Sequence, residues 1–159
     1  MISHLLSLER IIVHDSISNK KRALETLSRC LANNQPSLNV TTIFNKLMER
    51  EDSGSTGFGK GVALPHCRLN DLPQATLALM TLTTPLDFNA LDDQPVDLLF
   101  ALAVPEQGTD IHLQILAQLA QLLSNKTLCL NLRKATHPQT LLDLIHAWEA
   151  DQTLQDISA

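Results

Sequence analysis

Between Val96 and Val104 the chain reads VDLLFALAV, nine residues in which Asp97 is the one polar side chain. A strand with one wet face alternates apolar and polar residues, whereas a run without alternation has apolar neighbours on both faces. The stretch is therefore expected to be a fully buried strand, and the rest of the chain has to cover a sheet from two sides. Two further apolar runs can join it: VALPH (62–66) as a short buried strand and ATLALMTL (75–82) as a longer one. IIV (11–13) is read as an edge strand.

The covering elements are helical by spacing. In residues 15–33, Ile17, Leu24, Leu27 and Leu31 fall on one helical face, with Asp15 or Ser16 as the expected cap and Pro36 beyond the end. Val40, Ile43, Phe44, Leu47 and Met48 mark a second helix over 40–50, with Thr41 or Thr42 near its cap. Asp110 is expected to cap a third through Leu123, carrying Ile111, Ile115, Leu119 and Leu123. Residues 127–134 and 138–150 predict two more. Helices, then strands, then helices predict an α/β or α+β domain, its sheet flanked by helices, and 159 residues predict one such domain over 1–159.

Composition narrows the functional classes. Apolar residues make up 44% of the chain, and the net charge is −5. This does not predict a nucleic-acid binder, which usually presents a basic face. With four Phe, one Trp and no Tyr, the core has to be aliphatic. Three cysteines, Cys30, Cys67 and Cys129, form no disulfide framework, and a reducing, cytoplasmic setting is expected. No run is long enough for a membrane span, and the N-terminus lacks the basic region of a signal peptide.

Four of the five glycines, Gly54, Gly57, Gly59 and Gly61, crowd into GSTGFGKG, which opens like a nucleotide-binding P-loop. The resemblance to a P-loop fails at two points. Gly61 stands where a Ser or Thr should reach Mg²⁺, and the loop follows a helix and opens a strand instead of the reverse. No ATP site and no cofactor are expected. The loop leads to Pro65 and His66. Proline fixes the backbone before the histidine, and a neutral imidazole is a nucleophile near pH 7 that needs no separate base. His112, on the first turn of the helix after the buried strand, and Arg50, at the end of the helix before the glycine loop, would add a second imidazole and a guanidinium. Such a set suits transfer of an anionic phosphoryl group, where catalysis is largely positioning and charge stabilisation. His66 and Cys67 are neighbours in a strand and point to opposite faces, and no CxxC or HxxxH spacing is present, so no metal site is expected. Glu51 and Asp52 are expected to be solvated or partner-facing. His4, His14, His137 and His146 are read as surface or cap residues.

RED-GSTGFGKGVALPH, PLDFNALDDQPVDLLFALAVPE and HLQIL, in this order, resemble the enzyme IIA domains of the bacterial phosphoenolpyruvate phosphotransferase system, of the mannitol/fructose class and, within it, the nitrogen-regulatory type. The resemblance implies a mixed β-sheet flanked by helices. It implies His66 as acceptor of a phosphoryl group from HPr or an HPr-like carrier of the nitrogen branch, Arg50 and His112 as its support, and Gly57, Gly59 and Gly61 as a loop close to the phosphate. Phe58 and Cys67 depart from the family's usual residues. The phosphorylated surface is expected to include Phe58 and Leu64. Regulatory target proteins are the expected partners, since no IIB or IIC domain is attached; a free-standing sugar-specific IIA passing phosphate to a IIB domain, and an interaction module without phosphotransfer, are the alternatives.

Overall fold

The computed structural model describes residues 2–158. Two short 3-10 turns (Ile2–Leu5 and Leu8–Arg10) lead into β1 (Ile11–Asp15), α1 (Lys20–Ala32), α2 (Val40–Asp52), β2 (Gly57–Gly59), β3 (Val62–Ala63), β4 (His66–Leu69), β5 (Thr76–Leu86), β6 (Val96–Pro105), α3 (Thr109–Leu123), α4 (Lys126–Lys134) and α5 (Pro138–Ser158). The sheet is mixed, in the order β1-β5-β6-β3-β2, with β4 also on β6. β1 lies at the edge, parallel to β5; β5 and β6 are antiparallel; β3 and β4 both run parallel to β6.

The unbroken apolar run is the middle of the molecule. Leu98, Phe100, Leu102 and Val104 of β6 pack towards α3, α4 and α5 with Leu77 and Leu79 of β5. The intervening Leu99, Ala101 and Ala103 pack towards α1 and α2, with Ala78 and Met80. Alternation along the strand therefore separates two apolar layers instead of an apolar and a wet one. Large residues fill one layer, and two alanines leave room for the α1–α2 pair in the other.

Several boundaries differ from expectation for local reasons. Asn19 caps α1 by accepting from the Arg22 amide, so the chain through Asp15 remains strand; Asn39 caps α2 by accepting from the Thr42 amide. Asparagine is as good a cap as aspartate or serine and outcompetes the earlier candidates. Gly108, in the left-handed region, precedes α3, and Asp110 sits in the helix's first turn instead of capping it. The expected strand 62–66 breaks at Leu64 and Pro65 and resumes as β4, since proline offers no ladder donor. α5 continues past residue 150 to Ser158.

Glu51 is neither solvated nor partner-facing. Its carboxylate is buried, pairs with Lys20 Nζ at 2.7 Å and accepts from the amide of Thr56 at 3.1 Å and from the Thr56 hydroxyl. Lys20 also donates to the Phe88 carbonyl, which Ser55 Oγ shares. One carboxylate thus ties the turn after α2 to α1. Glu51→Ala strands a part-buried ammonium and two buried donors. It is expected to lower unfolding stability by about 3 kcal/mol in a urea titration. A loss under about 1 kcal/mol, the size of an exposed pair, would show that this carboxylate does not hold the turn.

Candidate active site

β4 lies beside β6, with His66 opposite Leu102 and Arg68 opposite Val104. Alternation sends Cys67 and Leu69 into the layer under α1 and α2, and it leaves His66 half-buried and Arg68 exposed on the other face. Across from them stands α3, whose fourth residue is His112. The two imidazole centroids are 5.9 Å apart, at 63°. Arg50 arrives from the last turn of α2, and one of its guanidinium nitrogens donates to the Gly54 carbonyl at 2.8 Å. These side chains, with Lys46, Glu49, Ser53, Cys67 and Glu106, line an open cavity of about 510 Å³. The structure therefore brings His66, Arg50 and His112 together, and it adds Arg68. The sequence signal for Arg68 was its even spacing from His66 on a strand.

The tautomer of His66 follows from its partner. Nδ1 lies 2.9 Å from the Leu64 carbonyl oxygen, which can only accept, so Nδ1 carries the proton and the lone pair sits on Nε2. Burial pushes the His66 pKa below the ordinary histidine value; Arg50 and Arg68 act in the same direction, against the Leu64 bond and Glu51. His112 is lowered too, by burial first and then by Arg68 and His66. Neither of its ring nitrogens has a partner among the described residues, although the side chain is only 8% exposed. A buried, unpaired imidazole facing a cationic cavity is equipped to donate to or accept from a bound group. Cys67 borders the cavity, but its side chain belongs to the core layer under α1 and α2, and burial pushes its thiol up to about 12, so it is no thiolate at neutral pH.

Gly57, Gly59 and Gly61 are not brought into this cavity. Their hairpin lies at the other end of β6, where the Gly61 carbonyl accepts from the Asp97 and Leu98 amides. Val62 faces Leu98 while His66 faces Leu102, four positions along, roughly 13 Å at strand rise. Close packing accounts for two of these glycines. A Cβ on Gly57 would stand 2.7 Å from that of Ala90, and one on Gly61 would stand 2.8 Å from an Arg133 guanidinium nitrogen. Phe58 is 44% exposed and lines a separate cavity with Lys60, Lys126 and Arg133, not the surface of His66.

Residues 4–148 match the family described as phosphoenolpyruvate-dependent sugar phosphotransferase system, EIIA 2. The chain belongs to this enzyme IIA family. The nitrogen regulatory protein of Pseudomonas aeruginosa is 40% identical to it over 144 residues, 91% of this chain and 94% of the relative. That of Escherichia coli K12 is 45% identical over 128 residues, 80% and 78% of the two chains. The crystal structure of nitrogen regulatory protein IIA-Ntr from Neisseria meningitidis superposes with a TM-score of 0.85 at 35% identity, covering 90% of this chain and 97% of that one. Within the enzyme IIA family, then, the chain resembles the nitrogen-regulatory type. No helix among the described residues of this enzyme IIA is long and apolar enough to cross a membrane.

The two depressed imidazoles fix a pH dependence for the enzyme IIA fold. Histidines in the unfolded chain titrate near 6.5 and bind protons that the folded state resists. Their contribution is fully present above about pH 6.5 and is lost as pH falls through that value towards the lower folded pKa values. The melting temperature should decline through that window, and less so in a His66→Gln, His112→Gln double variant. Equal slopes for the variant and the parent would place both rings in ordinary solvent.

Proposed function

We propose that this enzyme IIA is a phosphotransfer protein of nitrogen-regulatory signalling in which Nε2 of His66 accepts a phosphoryl group from an HPr-like carrier. The observation that carries the reading is the Leu64 carbonyl on Nδ1 of His66, which leaves Nε2 with the lone pair in a cavity shared by Arg50 and His112. The Nε2 lone pair attacks the phosphorus of the carrier's phosphohistidine. A new N–P bond forms as the carrier's N–P bond breaks, and its electron pair returns to the carrier imidazole. Positive charge that develops on the His66 ring is stabilised through Nδ1–H and the Leu64 carbonyl. Arg50 offers a donor fork to the phosphoryl oxygens, and His112, protonated on one nitrogen, offers one donor. The lowered pKa of His66 keeps the nucleophile unprotonated at neutral pH.

Incubation with phosphoenolpyruvate, enzyme I and the carrier is expected to add one phosphoryl group that is acid-labile and alkali-stable, as a phosphoramidate is. The regulatory role rests on likeness to nitrogen regulatory proteins at 40% and 45% identity. It predicts that phosphorylated and unphosphorylated protein recover different partners, because the added charge of about −1.5 to −2 falls on the cavity face. Identical partners, together with rapid onward transfer to a fructose- or mannitol-type IIB domain, would put the sugar-specific reading in its place.

A further inference from the structure

We infer that Arg68 is a catalytic residue of this site, a second guanidinium that binds the transferring phosphoryl group opposite Arg50. The inference rests on the phosphotransfer reading of His66 and names a residue that the sequence pattern did not single out. Arg68 stands two residues after His66 on β4, so both side chains leave the same face, with Cα atoms roughly 6.6 Å apart. That is within the reach of an arginine side chain towards a group on Nε2. Arg68 lines the cavity with His66, His112 and Arg50.

An exposed arginine on a strand is ordinarily a solvated charge or half of a surface ion pair. Arg68 has no ion pair and no hydrogen bond among the described residues, although Glu49 and Glu106 line the same cavity and Asp71 lies on its other side. Burial does most to hold both imidazoles down, and the Arg68 charge adds to it, second after burial at His112 and least of the causes at His66. Arg50 differs, because part of its fork is already used on the Gly54 carbonyl. The transferring group has three peripheral oxygens. Arg50 from α2, His112 from α3 and Arg68 from β4 supply a donor group for each, from three separate elements. A guanidinium here would hold two phosphoryl oxygens or one oxygen and the carrier side of the group, which an ammonium cannot do with fixed geometry.

The test uses the full chain as wild type, Arg68→Gln and Arg68→Lys, with two measurements. The ring signals of His66 and His112 are titrated by NMR in the unphosphorylated proteins, and the rate of labelling is followed from the phosphorylated carrier. Arg68→Gln is expected to move both histidine midpoints upward and to slow labelling roughly ten- to a hundredfold. Arg68→Lys should leave the midpoints near wild type yet recover only part of the rate, which separates the fork from the charge. Midpoints that stay put in Arg68→Gln would show that the side chain does not face the imidazoles, and the inference fails. Wild-type labelling with an equally fast Arg68→Gln protein would overturn the inference while the phosphotransfer reading stands. A wild-type protein that takes no label would overturn the phosphotransfer reading, and the inference with it.

Discussion

His66→Ala is expected to abolish labelling from the phosphorylated carrier and to leave melting nearly unchanged. The size of the effect follows from there being one nucleophile that is both aligned and accessible. His66 is half-buried at the cavity, with its proton fixed on Nδ1 by the Leu64 carbonyl and Nε2 left to react. His112 also has nitrogens to spare, yet it is buried, with no carbonyl to fix its tautomer, and is poorly placed to meet another protein's phosphohistidine. His4, His14, His137 and His146 are exposed and line no part of this cavity. The alanine variant loses one hydrogen bond, worth about 1 kcal/mol. Circular dichroism melting should therefore overlay within a few degrees. Residual label on the His66→Ala protein would move the acceptor elsewhere; the His66→Ala, His112→Ala double variant would show whether His112 had taken it.

Legibility in the sequence followed the range of the forces involved. β6 was readable because burial on both faces leaves an unbroken apolar run, and the helices because burial on one face leaves a period of 3.6. Proline next to histidine, a local fact, marked His66 as a candidate, and the structure sets it at one cavity with Arg50 and His112. Glu51 was not. Its partner Lys20 is 31 positions away, and a carboxylate after an arginine at a helix end looks solvated until α1 is packed against α2. The glycine hairpin misled through sequence proximity. Gly61 is five residues from His66, but the chain between them is largely extended along β6, so nearness in sequence became distance in space. Arg68 was passed over for the opposite reason: its even spacing from His66 gains meaning only once β4 is formed and the facing helix brings His112 to the same cavity.

Arg50→Lys and His112→Ala are each expected to slow transfer by roughly a hundredfold or more, about 3 kcal/mol of transition-state stabilisation, with little change in melting. Were Arg50 half of a surface pair with a neighbouring carboxylate, its loss would cost ~0–1 kcal/mol of stability and nothing in rate. Glu49 and Glu51, the two carboxylates that flank it, pair instead with Lys46 and Lys20, and Arg50 has no ion pair among the described residues. Its one bond, to the Gly54 carbonyl, aims the guanidinium from the end of α2. Lysine keeps the charge but loses the fork that can hold that carbonyl and phosphoryl oxygens together, so conservation of charge should not rescue the rate. His112 makes the complementary case. Both its ring nitrogens are buried without partners among the described residues, so alanine removes an unsatisfied group and leaves a gap beside the open cavity, two effects on stability that oppose each other. The gain from placing that imidazole at the cavity is then expected in transfer, when the phosphoryl group arrives, and not in folding. The check is transfer rate and thermal unfolding measured side by side for both variants. A large rate loss with overlaid melting curves is the expected pattern. Unchanged rates, or losses that scale with unfolding, would remove Arg50 and His112 from the chemistry and leave His66 without its clamp.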